Sequence, residues 1–399
     1  MDTKINIGMF GYGSVGQGFY KALKSSPQLD AQIKNIVVKS KHKKRDIAEE
    51  HFSFHAEDIL ENSDIKIVVE LIDDANAAYK IVKTALRSGK HVVSANKKMI
   101  AHHLEELITI SRQNNTSFLY EASVCASIPI IRNLEDYFKS DKIKGFQGIC
   151  NGTTNYVLSR TGQGLSYKEA LQEAQKLGFA ESDPTLDVDG FDAKFKLGIL
   201  IKHAFGIYVT LDKIFNCGIR HIRSEHVEFA KQFNYKFKLF SFAQHIEDKV
   251  IGFVAPFLVD QQHPNFNVEN EFNAINIDSK FAHQQFFYGK GAGSEPTASA
   301  VLSDFSALLN QYKYSYTKTQ IQNFSFTTNF YLKIYLASPN FKTLNQIPFQ
   351  KTEQIHQSKN YSYKIGWLNF ESIAGIDFNK NLDLFFAVYQ EPFKLSLED

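Results

Sequence analysis

Along the first 130 residues, short β-rich apolar runs alternate with longer stretches that have the length and residue types of helices. This alternation is typical of successive βαβ units and predicts a parallel sheet covered by helices. The predicted strands are Ile5–Phe10, Ile33–Val38, Ile65–Ile72, His91–Ser94 and Ser117–Glu121, and the predicted helices are Val15–Ser25, Ala75–Ser88 and Lys98–Gln113.

Beyond residue 140 the pattern becomes mixed, which predicts that a second domain begins there. Helices are predicted at Tyr167–Leu177 and Ala193–Phe205, and a strand is predicted at Val250–Val259. From about Ser315 onwards the chain is rich in Phe, Tyr, Asn, Gln and Lys, and it contains one clear strand candidate, Phe330–Leu336. No motif in this last region points to a chemistry of its own.

The composition is that of a globular protein, since 43% of the 399 residues are apolar and 22% are charged. The formal net charge of +2 gives no field that would attract nucleic acid or a membrane surface. The sequence before Ile5 lacks the features of a secretion signal, and the most apolar later stretch, Leu197–Val209, is too short to cross a bilayer. Three isolated cysteines suggest no disulfide framework, which favours a reducing cytoplasm: Cys125, Cys150 and Cys217.

A glycine-rich segment, Gly11-Tyr12-Gly13-Ser14-Val15-Gly16, follows the first predicted strand and opens the first predicted helix. A dinucleotide fingerprint requires this context. Gly11 permits a tight turn, Gly13 lets the backbone approach a pyrophosphate, and Gly16 lets the helix and strand pack closely. The alternative is a glycine-rich turn in an α/β domain that binds no nucleotide.

The end of the next predicted strand carries a basic cluster, from Lys39 to Arg45, where a carboxylate would bind the adenosine ribose of NAD. A basic cluster at this point suits a 2′-phosphate and favours NADP. The alternative is a solvated loop, which is the commoner role of a charge run.

Two further segments are candidates for chemistry. Lys97 stands just past a predicted parallel strand, at the edge where open α/β sheets bind ligands. Residues 178–197 hold five carboxylates and two lysines between predicted helices, a density that favours ligand binding. Asp192 and Lys196 are four residues apart at a helix start, so the carboxylate can orient the ammonium group. Capping by Asp189 or Asp192 with an exposed ion pair is the structural alternative, and it explains only part of the cluster.

Over roughly residues 1–305 the chain resembles the homoserine dehydrogenase family, whose motifs occur here in order and spacing. The matching segments are Gly11–Gly18, Val69–Ile72, His91–Lys97, Tyr120–Ile131, Asn151–Tyr156, Gly178–Leu200 and Phe287–Asp304. The resemblance implies an α/β protein with a Rossmann-type doubly wound parallel sheet in residues 1–135, completed by about 287–312. It further implies an α+β substrate-binding and dimerisation domain in residues 136–286. Residues 313–399 are expected to form a small C-terminal α/β region, a degenerate copy of the family's regulatory ACT-like domain.

The resemblance implies NAD(P)-dependent interconversion of L-homoserine and L-aspartate 4-semialdehyde, a step towards threonine, methionine and isoleucine. Lys196 matches the family's acid/base lysine, and Lys97 matches its cofactor-contacting lysine. Glu181 and Asp192 match carboxylates that bind the substrate ammonium, and Asp187 is expected as a third. The expected cofactor contacts are Gly11, Gly13, Ser14, Val15, Gly16, Lys39, Ile72, Ala95, Lys97, Gly178 and Gly293.

The loop Glu121–Pro129 resembles the family's monovalent-cation loop. The resemblance implies a sodium site formed largely by backbone oxygens, and it also implies a homodimer to which the apolar stretch Ile128–Phe138 contributes. Cys125 and Ser127 stand where the family usually has glycine or alanine, a departure that bears on the geometry of the carbonyl groups. The expected cation ligands are Glu121, Val124, Ala126 and Ile128.

Other functions stay open from the sequence alone. One is a related NAD(P) oxidoreductase acting on another amino-acid alcohol, and a second is a non-catalytic dinucleotide sensor. A sensor would be expected to have replaced at least one of four residues that are all present: Lys97, Glu181, Asp192 and Lys196. A protein-interaction module explains at most residues 315–399. Residues 337–342 lack the acidic-glycine turn expected after the first strand of a sensing domain, so we expect no threonine feedback.

Overall fold

The computed structural model describes residues 4–321, 323–381, 383–389 and 393–397. The expected absence of a secretion signal falls partly on residues 1–3 and to that extent lies outside the described residues. The chain divides into unit 1, Met1–Tyr137 with Lys290–Thr317, and unit 2, Phe138–Gly289 with Lys318–Asp399. In the described part of the chain, no helix is long and apolar enough to span a membrane.

The first part of unit 1 alternates strands and helices, as the sequence pattern predicts. Its elements are β1 (Ile5–Phe10), α1 (Ser14–Lys24), β2 (Ala31–Val37), β3 (Phe52–Ser53), α2 (Glu57–Leu60), β4 (Ile67–Glu70), α3 (Ala75–Arg87), β5 (His91–Ser94), α4 (Lys97–Gln113), β6 (Phe118–Leu119) and α5 (Ile130–Glu135).

The six strands form a parallel sheet in the order β3-β2-β1-β4-β5-β6. This is the doubly wound Rossmann order, so the predicted fold class is confirmed. All four residues of β4 are buried, as expected for a central strand with both faces covered. The order reverses between β1 and β4, and the carboxyl ends of these two strands therefore form the crevice in which such sheets bind dinucleotides.

The middle of the chain contributes helices and mainly antiparallel strands to unit 2. Its elements are β7 (Ile143–Ile149), α6 (Gly152–Gly162), α7 (Tyr167–Lys176), α8 (Thr185–Val188), α9 (Phe191–Phe205), β8 (Phe215–Asn216), α10 (Ser224–Gln232), β9 (Lys236–Ile246), β10 (Lys249–Val259), β11 (Phe272–Ser279) and β12 (Gln284–Lys290).

The chain then returns to unit 1 through α11 (Ser294–Leu309), which packs on α1. A Cβ atom at Gly18 would lie 2.8 Å from Ser294 Oγ, so only glycine allows this close approach. Ser294 Oγ donates a hydrogen bond to the carbonyl of Ser14 at 2.5 Å. Gly293, the residue before α11, has a φ of +115°, a backbone conformation that residues other than glycine rarely adopt.

The C-terminal segment has βαββαβ topology and adds to the sheet of unit 2. After α12 (Thr317–Ile321), its elements are β13 (Ser325–Phe326), β14 (Tyr331–Ser338), α13 (Phe341–Asn345), β15 (Lys351–Gln357), β16 (Ser362–Asn369), α14 (Glu371–Ala374) and β17 (Phe385–Tyr389). Among the described residues, eleven strands form one sheet with the main order β12-β11-β7-β9-β10-β17-β14-β16-β15. The pairing of β17 with β10 makes this sheet continuous, and Phe253, Phe330 and Phe370 lie in one buried cluster that spans the junction.

Candidate active site

The glycine segment after β1 has the geometry that a pyrophosphate requires. Gly11 has a φ of +96°, and a Cβ atom there would lie 2.5 Å from the carbonyl oxygen of Leu71. A Cβ atom at Gly16 would lie 2.5 Å from the carbonyl oxygen of Gly11, whereas Gly13 has no atom within 4 Å of the Cβ position. Helix α1 begins without a side-chain cap and without an acidic residue in its first turn. The amide groups at Ser14 and Val15 thus fit a bound phosphate group.

The basic loop after β2 is held against the glycine segment. Arg45 folds back and donates to the carbonyl groups of Ser40, at 2.5 Å, and Lys43, at 2.9 Å. Tyr12 donates its hydroxyl hydrogen to Asp46 Oδ1 at 2.9 Å, which engages the carboxylate that directly follows the basic cluster in sequence. The lysine side chains of the loop are exposed, Lys39 among them.

The ends of β4 and β5 meet through a buried carboxyl group. Glu70 is fully buried, accepts a hydrogen bond from Ser94 Oγ at 2.5 Å and accepts another from the amide of Ile72 at 2.8 Å. Burial raises the pKa of Glu70 to about 7. The Ala95 amide donates to the Glu70 carbonyl at 3.3 Å, and Lys97, partly buried, is the first residue of α4. Predicted contacts Ile72, Ala95 and Lys97 thus lie at the same sheet edge.

Asn96 connects these two strand ends and begins α4. Its side chain donates to the Ile72 carbonyl at 2.9 Å and accepts from the Met99 amide at 2.9 Å. Sequence reasoning missed Glu70 and Asn96. The signal for Asn96 was its place two residues before the predicted helix Lys98–Gln113, since asparagine is a favoured cap and the helix in fact begins at Lys97.

The loop after β6 contains a second buried acidic group. The Glu121 carboxylate accepts hydrogen bonds from the amides of Ile131, at 2.9 Å, and Arg132, at 2.7 Å, and so it caps α5. Burial, followed by repulsion from Asp304, raises the pKa of Glu121 to about 8. Asp304 in turn accepts from Arg132 at 2.7 Å and from the Glu121 amide at 2.8 Å.

The same loop keeps an unusual backbone at Cys125 and Ala126, whose φ values are +54° and +42°. Residues other than glycine adopt this region at a cost of roughly 1–2 kcal/mol each, so the surrounding structure imposes it. Val124 is fully buried, and in the described part of the chain its carbonyl accepts no hydrogen bond; neither does that of Ala126. Two unbonded carbonyl groups in a buried loop fit the oxygen-ligand set expected for a cation.

The acidic segment of unit 2 brings Asp192 and Lys196 together on α9. Gly190 has a φ of +82°, which turns the chain into this helix. Lys196 Nζ donates to Asp192 Oδ2 at 2.7 Å and to the Cys150 carbonyl at 2.5 Å. Asp192 is 3% exposed and Lys196 is 6% exposed, so the pair is buried and the solvated-pair alternative is wrong.

Asn151 joins the two predicted aspartates. Its side-chain amide donates to Asp187 Oδ1 at 2.7 Å and to Asp192 Oδ2 at 2.9 Å. Its side-chain oxygen accepts from the Thr154 amide at 2.8 Å, which caps α6 and fixes the direction of the amide group. Sequence reasoning used Asn151 only as part of a family motif.

Two predicted residues of unit 2 lie apart from this cluster in their contacts. Glu181 is exposed in the loop after α7, and within the described residues no hydrogen bond joins its side chain to Asp187, Asp192 or Lys196. Gly178 ends α7 with a φ of +78° and has open space around its Cβ position.

A dinucleotide-binding sheet edge together with a buried lysine–carboxylate pair defines the class of NAD(P)-dependent oxidoreductases. The family model for the homoserine dehydrogenase NAD-binding domain matches residues 11–121, and the homoserine dehydrogenase model matches residues 129–305. The chain belongs to the homoserine dehydrogenase family, enzymes that act on a CH–OH group. The resemblance inferred from the sequence is therefore confirmed, and the non-catalytic sensor is excluded.

The similarity extends over nearly the whole chain. Homoserine dehydrogenase from Bacillus subtilis is 35% identical over 95% of this chain and 88% of its own length. The crystal structure of a homoserine dehydrogenase from Thiobacillus denitrificans matches with a TM-score of 0.86, at 26% identity over 97% of this chain and 98% of that one. A hyperthermophilic archaeal homoserine dehydrogenase solved in complex with NADPH matches with a TM-score of 0.68, at 26% identity over 78% of this chain and 99% of that one.

Proposed function

We propose that this chain interconverts L-homoserine and L-aspartate 4-semialdehyde with Lys196 as the acid/base group. The observation that carries the proposal is the buried contact of 2.7 Å between Lys196 Nζ and Asp192 Oδ2, tied to Asp187 through Asn151. A buried ion pair contributes little to stability on its own. A role in binding or catalysis therefore explains better why so many polar groups are buried here.

The chemistry follows from the needs of alcohol oxidation. The bound dinucleotide supplies the hydride acceptor. The amine of Lys196 accepts the hydroxyl proton of homoserine, and in the reverse direction its ammonium group returns that proton. Asp192 orients this amine, and Glu181 and Asp192, with Asp187 as a third carboxylate, bind the ammonium group of the substrate. Lys97 lies at the carboxyl edge of the unit 1 sheet, which suits its proposed contact with the cofactor.

The test is Lys196→Met, measured by initial rates of homoserine oxidation and by dinucleotide binding. We expect the rate to fall by at least about 100-fold, the usual contribution of a positioned acid/base, with dinucleotide affinity unchanged. Lys202→Met is the matched control, because Lys202 is another buried lysine of α9 and donates to the Gly206 carbonyl at 3.3 Å. A rate for Lys196→Met within a few-fold of the wild type would contradict the proposal.

We further propose that NADP is preferred over NAD. The exposed lysines after β2, Lys39 first among them, and the engagement of Asp46 by Tyr12 support a site for a 2′-phosphate. The NADPH complex of the archaeal relative is consistent with this choice. The proposed cofactor contacts also include Gly178 and Gly293.

We also propose a monovalent-cation site, sodium being the expected ion, formed by oxygens, largely backbone carbonyls, of Glu121, Val124, Ala126 and Ile128. The left-handed backbone at Cys125 and Ala126 and the unbonded carbonyl of Val124 support it. Rates measured in sodium, potassium and a bulky organic cation at one ionic strength test it. Equal rates in all three salts would count against the site.

The proposed homodimer and cytoplasmic location rest on separate grounds. In the apolar stretch expected to contribute to the dimer, Ile130, Ile131 and Leu134 are at most 1% exposed, whereas Tyr137 is 66% exposed. Further exposed aromatic surface lies on edge strand β12, where Phe286 is 45% and Tyr288 is 53% exposed. Light scattering of the wild type and of Phe286→Ser tests whether this strand holds the dimer. The cytoplasmic location is supported by the spacing of the cysteines alone.

A further inference from the structure

Asn379, in the C-terminal segment after α14, contacts the backbone beside the acidic segment. Its Oδ1 accepts a hydrogen bond from the Gly218 amide at 2.8 Å. Its side-chain amide donates to the carbonyl groups of Asp189, at 3.1 Å, and Asn216, at 3.4 Å. Its own carbonyl lies 2.7 Å from His221 Nε2. A single side chain thus bridges two segments that are far from it in sequence.

The two bridged segments lie directly against each other. A Cβ atom at Gly218 would lie 1.9 Å from the Val188 carbonyl oxygen, so the residue must be glycine for the segments to approach. The Ile219 amide donates to the same carbonyl at 2.7 Å. Arg220 then holds the Asp189 carboxylate through two hydrogen bonds of 2.7 and 2.9 Å.

Packing alone leaves this region open on one side. A cavity of about 700 Å³ is lined by Phe191 and Lys194 of α9, by Asn216 and by Asn379. Phe191 and Lys194 at the start of α9 border this space, whereas Asp192 and Ala193 are buried on the other side of the helix. Directional hydrogen bonds from Asn379 therefore restrain the acidic segment on its open side, because a segment beside a solvent-filled cleft has fewer packing contacts there to oppose its movement.

We propose that Asn379 is a positioning residue for the substrate site, through which the C-terminal segment fixes Asp187 and Asp192. The Asp189 carbonyl lies in the chain between these two aspartates, and it accepts hydrogen bonds from the side-chain amides of both Asn379, at 3.1 Å, and Asn216, at 2.8 Å. The role deepens the proposed function and rests on it, since it assumes that Asp187 and Asp192 face the substrate. By this proposal, the C-terminal segment contributes to the geometry of the substrate site.

The test compares Asn379→Ala with Asn369→Ala in the full-length protein. Asn369 lies in the same C-terminal segment and bonds to Asn329 at 2.7 Å, so its loss weakens that segment without touching residues 188–220. For Asn379→Ala we expect the KM for homoserine to rise about tenfold, with the KM for the dinucleotide unchanged. Hydrogen exchange measured on peptides covering 186–192 and 216–222 should become faster. Asn369→Ala should change neither quantity.

Three results would overturn the proposal. The first is a lower melting temperature for Asn379→Ala with an unchanged KM for homoserine, which would assign the residue to folding alone. The second is faster exchange in residues 186–192 with unchanged kinetics. The third is an equal rise in KM for Asn369→Ala. Failure of the proposed function is seen separately, as normal turnover by Lys196→Met, while the exchange data still report whether Asn379 restrains the acidic segment.

Discussion

The proposed cofactor site in unit 1 is formed mainly by backbone groups, whereas the proposed substrate site in unit 2 is formed by side chains. In the cofactor site, Gly11 and Gly16 leave space that a side chain would fill, and the first turn of α1 has no side-chain cap on its amide groups. The substrate site consists of buried side chains, Asp192 and Lys196, fixed by Asn151. Backbone amides offer shape and a partial positive charge, which suits holding a constant cofactor. Side chains that gain or lose protons are required where a bond is made or broken.

The largest effect should come from changing the backbone site at Gly11. Gly11→Ala places a Cβ atom 2.5 Å from the Leu71 carbonyl oxygen at a φ of +96°, so we expect a loss of about 3 kcal/mol in unfolding free energy. Dinucleotide affinity should fall more than about 100-fold. Gly13→Ala is the matched variant, because no atom lies within 4 Å of its Cβ position. Calorimetry and fluorescence titration should show a normal melting temperature and weakened dinucleotide binding for Gly13→Ala; unaltered binding in both variants would refute this account.

A change in the side-chain site should leave the cofactor site intact. Asp192→Asn keeps the shape of the side chain but removes the charge that faces Lys196, and we expect the turnover number to fall by about 100-fold. Dinucleotide affinity should not change, since unit 1 is untouched. Asp183→Asn, at an exposed position of the same acidic segment, should retain its rate. Steady-state rates and binding titrations of the two variants decide the matter, and similar losses in both would contradict the assigned role.

The cofactor site should show a smaller and more selective response at Lys39, the proposed contact with the 2′-phosphate. Lys39→Ala removes a positive charge at the end of β2, and we expect kcat/KM for NADP to fall by about tenfold while the value for NAD stays constant. Lys24→Ala, at the far end of α1, is the control. Should both cofactors lose equally, Lys39 would be acting on something other than the 2′-phosphate.

The fold of unit 1 could be predicted closely because its signals are local. Strands β1 and β5 have the predicted bounds. Each is a short apolar run followed closely by a residue that favours a turn or a helix cap, Gly11 after β1 and Asn96 after β5. Strand β9, Lys236–Ile246, was missed. It contains the fully buried Lys238, which bonds to the carbonyl of Val268 and to Asn155 Oδ1, so its burial depends on partners remote in sequence. From the sequence alone, a lysine in a run of apolar residues is expected to be exposed to solvent, because lysines are rarely buried without such partners.

The candidate site divides in the same way. The pairing of Asp192 with Lys196 followed from a spacing of four residues on one helix, and the structure confirms the contact. Asn151 lies 41 residues from Asp192, and Asn379 lies 190 residues from Asp189, so only the tertiary fold brings them there. The catalytic and binding roles of these residues stay predictions that the variants above test.

The smallest effect tests the comparison at a buried carboxyl group in unit 1, where the hydrogen-bond partners are uncharged. Glu70 has a pKa raised to about 7 by burial and bonds to Ser94 and to the Ile72 amide. Between about pH 4.5 and 7 the unfolded chain releases this proton while the folded chain keeps it, so unfolding free energy falls as pH rises. Glu70→Gln cannot titrate; its amide oxygen can still accept from the Ile72 amide, and its amide nitrogen would donate to Ser94 Oγ, which reverses the direction of that hydrogen bond. We expect the unfolding free energy of the variant to exceed that of the wild type by on the order of 1–3 kcal/mol at pH 8, with no advantage at pH 4 and normal turnover.

The control is Glu61→Gln, at an exposed position, whose unfolding free energy should equal that of the wild type at both pH values. Melting curves of the three proteins across this range give the answer: if the advantage of Glu70→Gln were the same at pH 4 and pH 8, it would come from packing rather than from the charge. Unlike Asp192, whose charge is matched by a lysine, Glu70 is an acid whose protonated form the folded unit 1 favours up to about pH 7.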